Sequence, residues 1–391
     1  MTATCRLKNG QALPLRELPR LELKDFRARL DGSLSQNSRV ASFFGLPEGD
    51  GILLIAVLAQ DSQGCLELLS TLVGDSYPSL TPDLPQLHWF EREIHEQWGV
   101  TPIGHPWLKP IRFHAPYRQT GKSPEQILPG VTDYFQVQGE EIHEVAVGPV
   151  HAGIIEPGHF RFQCHGEDVF HLEIELGYQH RGIEAALRRD PGLRGIHYME
   201  TLAGDTTIGH ATAWCMNLEA LSGTQPPPRA QLLRAIALEL ERIANHTGDL
   251  GALAGDVGFL PTSSFCGRLR GDFLNLTALL CGNRFGRNLV RPGGLLRDVP
   301  EPALTTLKDR LSPLLESLTD AVNLLWETPS VMSRLAGTGP VSRADALALG
   351  LCGMAARACG IDQDLRRDHP WGAYASLESP AVTVPTGDVY A

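Results

Sequence analysis

Short apolar runs and helix-period stripes alternate along this chain without repeating. Residues 51–59, GILLIAVLA, are a continuous apolar run with β-branched members, too short for a core helix and suited to a buried strand. Residues 86–99, QLHWFEREIHEQWG, put Leu87, Phe90, Ile94 and Trp98 on one face of a helix, with Gly99 at its stop. Residues 25–30 predict a short helical turn, and residues 100–116, with four prolines, an extended loop. Further on, residues 143–150 and 159–176 alternate or run apolar and predict a small antiparallel sheet, with EPGH at 156–159 as a turn between strands. From Gly182 helical patterns take over. The clearest covers residues 229–250, where Leu233, Ile236, Leu240 and Ile243 mark one stripe behind three prolines at 226–228. Residues 207–221, 263–281 and 302–326 are further helices, and Ser342 to Asp345 has the form of a capping box opening a helix over 343–350.

These elements define an α+β chain. A small N-terminal α/β domain takes residues 1–118, a linker 119–140, and a second domain 141–391, with an antiparallel sheet followed by a helical bundle. Hydrophobic residues make up 42% of the 391, ample for more than one core. The 34 Lys and Arg against 45 Asp and Glu leave a net charge of −11, which argues against a nucleic-acid partner. The 51–59 run is far short of the ~20 residues of a membrane-spanning helix, and MTATCRLKNG at the start has no signal-peptide core. A cytoplasmic location is expected. None of the eight cysteines stands in a Cys-x-x-Cys pair, so reduced packing thiols are expected rather than a zinc or self-contained iron–sulfur site.

Four places concentrate titratable groups. The loop GPVHAGIIEPGH at 148–159 carries His151, Glu156 and His159, side chains suited to proton exchange near neutral pH. In GYQHRGIE at 177–184, Arg181 and Glu184 lie three apart at a strand-to-helix junction. A guanidinium there can tune a nearby cluster, and a carboxylate can relay protons or complement a helix dipole. Glu239, Arg242 and His246 follow i, i+3, i+7 on one helix face. In ETLAGDTTIGH at 200–210, Asp205 or Thr206 is placed to cap the next helix, with His210 in its first turns. Each set also has a plain structural reading, as surface, cap or ion-pair residues.

Taken in order, these motifs resemble a known family. GPVHAGIIEPGHFRF and LGYQHRGIE, then ELERIANH, GDVGF and RPGG at 239–246, 255–259 and 291–294, are similar to the D-type subunit of respiratory complex I (NADH–quinone oxidoreductase). They resemble equally the nickel–iron large subunit of membrane-bound, energy-converting hydrogenases. VSRADALALGLCGMAARACGIDQDLR and HPWGAY at 341–366 and 369–374 extend the likeness, and FEREIHEQWGVTPIGHP at 90–106 resembles the C-type subunit. The chain therefore looks like a fused C/D-type subunit.

The resemblance implies roles. Arg181 and His246 would approach a [4Fe–4S] cluster held by a neighbouring iron–sulfur small subunit of the complex I B type. Glu184 would relay protons, and His151, with His159, would face a quinone-like pocket that also presents Asp205 and His210. No cofactor is expected on this chain alone. Partners would be that small subunit and membrane ion-translocating subunits, on the cytoplasmic face of the inner membrane. The hydrogenases' first Cys-x-x-Cys aligns on Ala203 and Thr206, the second lies in a region beyond residue 391, and the complex I quinone tyrosine aligns on Gly204. No nickel site is expected. The leading reading is a peripheral subunit passing electrons from the partner cluster to a quinone-like or unknown acceptor. A structural subunit that docks the small subunit is the alternative, and an active hydrogenase a remoter one.

Overall fold

The computed structural model describes residues 5–118, 132–151, 157–189 and 192–391. The N-terminal unit contains β1 (Cys5–Leu7), β2 (Arg20–Leu21), α1 (Leu23–Leu34), β3 (Arg39–Glu48), β4 (Gly51–Gln60), β5 (Cys65–Val73), β6 (Ser76–Pro78), α2 (His88–Trp98) and β7 (Thr101–Ile103). Its main sheet runs β1-β5-β4-β3, antiparallel throughout, with β2 pairing parallel to β5. The apolar run is thus β4, a central strand flanked by β3 and β5, which is why neither of its faces is polar. Phe26 and Leu30 of α1 and Ile94 and Trp98 of α2 pack with Phe43, Leu54 and Leu58 of the sheet. The proline-rich stretch holds one short strand, β7, paired parallel with β6.

Part of the expected linker, residues 119–131, lies outside the described residues, as do most of the EPGH turn's loop and Glu156. The second region opens with a three-stranded antiparallel sheet, β8 (Ile142–Val147), β9 (His159–His165) and β10 (Asp168–Glu175), in the order β10-β9-β8. The single apolar span expected over 159–176 is therefore two strands, turned at Gly166. After it come α3 (Ile183–Arg188), α4 (Gly195–Glu200), α5 (Thr207–Ser222), α6 (Pro228–Asp256) and α7 (Leu260–Cys281). A two-stranded ribbon, β11 (Val290–Arg291) and β12 (Gly294–Leu295), precedes α8 (Glu301–Trp326). The chain finishes with α9 (Pro329–Leu335), α10 (Arg343–Leu349), α11 (Gly353–Ala358) and α12 (Leu365–Asp368). As expected from the sequence, the Ser342 hydroxyl accepts the Asp345 N–H at the start of α10.

The α6 stripe differs from the predicted one. Leu233 and Leu240 are buried, but Ile236 is 38% exposed, and the buried face is completed by Ala237 and Ala244. Small residues there let α6 lie close against α7, where Cys266, Leu269, Phe273 and Leu276 meet it in the core. Its start is as expected, with proline at the first turn supplying the fixed φ without losing a needed donor.

The C-terminal segment returns to the N-terminal unit. Gln86 accepts the Val40 N–H at 2.9 Å and donates to the Leu347 carbonyl at 3.0 Å. His369, 2% exposed, bonds Asp61 through Nε2 at 2.8 Å. Asp61 is held down at about 2: burial opposes ionisation, but hydrogen bonds from His369 and Gln363 and the Arg39 charge outweigh it.

Candidate functional site

The loop of residues 201–206 between α4 and α5 gathers the largest set of predicted site residues. Arg181 reaches it from the segment after β10, its Nη2 donating to the carbonyls of Thr201 and Leu202, both at 2.7 Å. The segment is set there by Gly177, whose φ is +99° and whose missing Cβ would meet the Ile111 carbonyl at 2.1 Å. No carboxylate lies within 4 Å of the Arg181 guanidinium among the described residues, so its charge stays exposed and unneutralised.

The start of α5 is not capped by its own loop. Thr206 is the N-cap residue but makes no side-chain bond, and Asp205 turns to Arg270 on α7 at 3.4 Å. The capping acceptor is Glu241 of α6. Its carboxylate takes the N–H groups of Ile208 at 2.6 Å and Gly209 at 3.0 Å. Glu241 is 6% exposed. Burial pushes its pKa up to about 7; the two N–H bonds pull down and the Asp205 charge adds to the rise. The sequence pattern nominates Glu239, Arg242 and His246 and passes over this residue. The signal was present, since 241 is four after Ala237 and three before Ala244, inside the buried stripe.

His246 is tied to the same loop through its neighbour: Asn245 Nδ2 donates to the Asp205 carbonyl at 3.3 Å. The His246 Nδ1 is buried with no hydrogen-bond partner among the described residues. Burial first and the Arg242 charge next hold its pKa below the ordinary value, and burial alone does the same for His210. Both imidazoles are therefore neutral near pH 7. Arg270 crosses α6 at Gly248, where a Cβ would meet the arginine Cδ at 2.9 Å. The i, i+3, i+7 face divides: Glu239 faces the C-terminal segment, accepting from Tyr374 at 2.6 Å and Arg366 at 3.1 Å.

Glu184, in the first turn of α3, belongs to a different network, made with the N-terminal unit. Gln97 of α2 donates to Glu184 at 2.9 Å and to Glu93 at 3.0 Å, and Arg112 pairs with Glu184 at 3.3 Å and with Glu93 at 2.5 Å. Two carboxylates thus share one guanidinium and one amide. Burial raises the Glu93 pKa; Arg112 opposes this and the Glu184 charge adds to it. No local pattern singles out Glu93, Gln97 or Arg112, because their meeting with α3 is tertiary.

His151 and His159 sit apart from both groups. His151 Nε2 bonds the Gly158 carbonyl at 2.7 Å and its ring meets Phe160 edge-on. His159, 8% exposed, takes the Arg161 Nε–H at 3.2 Å and packs on Tyr134. Among the described residues no hydrogen bond, ion pair or ring contact joins either histidine to Asp205 or His210.

The donor set at the loop does not fit a nickel–iron centre. Ala203 offers a methyl and Gly204 no side chain. The nearby thiols pack inside helices: burial pushes Cys215 up to about 12 and raises Cys266 and Cys281. No group of three or more His, Cys, Asp or Glu among the described residues is arranged to hold a metal.

A sheet-and-helix unit meets a second region, a short hairpin sheet followed by a long-helix bundle, through the Gln97–Arg112–Glu184 network at α3. The family described as respiratory-chain NADH dehydrogenase, 30 kDa subunit, matches residues 54–124, and the 49 kDa subunit family matches residues 256–391. Formate hydrogenlyase subunit 5 of Escherichia coli is 30% identical over 320 residues, covering 77% of this chain and 55% of the relative. A carbon monoxide-induced hydrogenase of Rhodospirillum rubrum is 32% identical over 249 residues, 63% of this chain and 69% of the relative. The fused C/D subunit of NADH-quinone oxidoreductase from Bdellovibrio bacteriovorus is 27% identical over 332 residues, 81% of this chain and 59% of the relative. The chain belongs to the family that carbon monoxide-induced hydrogenase shares with the D subunits of NADH-quinone oxidoreductase, and it carries a 30 kDa-type segment ahead of that part. It spans between half and two thirds of the length of the E. coli and B. bacteriovorus relatives. No helix among the described residues is long and apolar enough to cross a membrane.

Proposed function

We propose that this chain is a peripheral subunit of a complex I-like, hydrogenase-related membrane oxidoreductase. It docks an iron–sulfur small subunit of the B type and takes part in electron transfer from that partner's [4Fe–4S] cluster. The domains at 1–118 and 141–391 would be its C-type and D-type parts, on the cytoplasmic face of the inner membrane beside ion-translocating subunits. The observation that carries this reading is Arg181. An exposed guanidinium, anchored to two backbone carbonyls with no carboxylate beside it among the described residues, presents uncompensated positive charge at the surface. A thiolate-ligated cluster is the kind of anion that such a charge stabilises in its reduced form. The acceptor is a quinone-like or unknown molecule, for which Gly204 offers no hydroxyl.

Purification of the native assembly through a tag on this chain tests the reading. A stoichiometric cluster protein should co-purify, and Arg181→Ala should lower that cluster's midpoint potential in redox-titrated EPR, with Arg181→Lys restoring part of it. Recovery of the chain alone, or an unmoved potential in the intact assembly, overturns it. The loss of donors at Ala203 and Gly204 favours the second reading, a structural subunit. That reading predicts that electron flux survives His151→Ala and Asp205→Asn.

Glu184 would carry the proton. It shares Gln97 and Arg112 with Glu93, a carboxyl that burial holds partly toward its neutral form, so the two acids are neighbours in one network. Glu184→Gln should slow proton-coupled turnover about tenfold or more and leave the cluster potential unchanged. Unchanged turnover would remove Glu184 from the path.

A further inference from the structure

A large cavity lies away from the loop of residues 201–206. It measures about 700 Å³ and opens between α5, α6 and the returning C-terminal segment, with β3 of the N-terminal unit completing its wall. Met216, Leu238, Met354 and Trp371 give it an apolar floor. Four arginines line it as well: Arg39, Arg242, Arg357 and Arg366. Two of them are neutralised. Arg39 pairs with Asp61 at 3.1 Å, and Arg366 with Asp364 at 2.8 Å and Glu239 at 3.1 Å.

The other two are less fully paired. Arg242 has Glu239 Oε1 at 3.6 Å, an oxygen that already accepts the Tyr374 hydroxyl at 2.6 Å. Arg357 donates to the Gln363 carbonyl at 3.3 Å and has no carboxylate within 4 Å among the described residues. Their charge is felt nearby: after burial, both guanidiniums act to keep His246 unprotonated. In the wall, His369 Nδ1 and Gln363 Oε1 are shut off from solvent without a hydrogen-bond partner among the described residues. The lining is thus apolar at its floor, positive at one end and incompletely bonded.

We propose that this cavity binds a small amphipathic anion, its apolar body on the Met216–Leu238–Met354–Trp371 floor and its carboxylate, sulfonate or phosphate group at Arg242 and Arg357. The volume is that of a small-molecule site. Guanidinium is the group that pairs with planar or tetrahedral oxyanions through two donors at once. The site is independent of the cluster-facing reading, since neither Arg181 nor the loop of residues 201–206 lines it.

Two probes of one shape test it on the full chain: 8-anilinonaphthalene-1-sulfonate and its neutral counterpart N-phenyl-1-naphthylamine. The anion should bind at one saturable site, about tenfold more tightly than the neutral probe. Arg242→Ala with Arg357→Ala should erase that preference while leaving neutral-probe binding in place. Ala213→Phe, which fills the cavity from α5, should block both. Equal affinity of the two probes for the parent chain overturns the proposal, as does anion binding that survives Ala213→Phe. Should the filled variant fail to fold by circular dichroism, the arginine pair decides: a preference that persists without both guanidiniums overturns the proposal.

Discussion

Glu241→Gln should gain on the parent chain by about 2.5 kcal/mol of folding stability between about pH 5 and about pH 8. The carboxyl has a folded pKa of about 7 against an ordinary value of 4.5, raised first by burial. Between those values the folded state binds more protons than the unfolded one. The group's contribution is therefore fully present in acid and is lost as pH rises through about 7. Glutamine has no such proton, so the difference between variant and parent isolates the slope. The parent's own profile also carries five histidines with lowered pKa, among them His88 at about 4, and these favour folding as pH rises through their window. They cancel in the comparison. At acid pH both side chains are neutral, and the variant should be the less stable, because the hydroxyl oxygen of the protonated carboxyl can still accept the second N–H whereas the amide NH₂ cannot. Denaturant titrations of both proteins at the two pH values give the answer, and parallel profiles would mean that Glu241 does not titrate in this range.

Such a group at the start of α5 has a functional consequence. The loop it stabilises carries Asp205 and is clasped by Arg181. Protonation of Glu241 removes like-charge repulsion from Asp205 but weakens the acceptor for two N–H groups. The local order of the loop of residues 201–206 is thereby linked to pH near neutrality.

What could be read from the sequence was what local pattern encodes. Strand β4, helix α2 with its Gly99 stop, and helices α5 to α8 follow from apolar period and punctuation. Strands β3 and β5 do not, because Arg39 and Glu48 bound one and Glu67 sits inside the other, blurring the period. Glu67 is buried and satisfied by Arg29, Ser33 and Gln60, a solution visible only in three dimensions. The same holds for the site. Glu184 stands out in its motif, but its partner Gln97 is 87 residues away, and the Asp61–His369 clasp joins residues 308 apart. Spacing on one helix can nominate a face; it cannot say which distant charge will meet it.

The RPGG motif at 291–294 has its physical reason in a buried ion pair, and breaking that pair should be the most damaging single change. Arg234 of α6 meets Glu219 of α5 through two bonds, at 2.7 and 3.2 Å, with both side chains 7% exposed. Its remaining donors hold the ribbon, bonding the Arg291 carbonyl at 2.6 Å and the Gly294 carbonyl at 2.8 Å, while Gly293 N–H returns to Glu219 at 2.8 Å. Each of these polar groups depends on the others, so removing one partner strands the rest. Arg234→Met should cost about 3 to 5 kcal/mol, because a buried carboxylate is left without its cation. Hydrogen exchange across β11 and β12 should rise with it, since two of the ribbon's carbonyls lose their donors. Adding Glu219→Leu removes the stranded charge, and the double variant should recover more than half of the loss. The recovery is the discriminating result. If the double variant is as unstable as the two single losses added together, the stabilisation resides in the packing of the α5–α6 contact, and the charges merely accompany it.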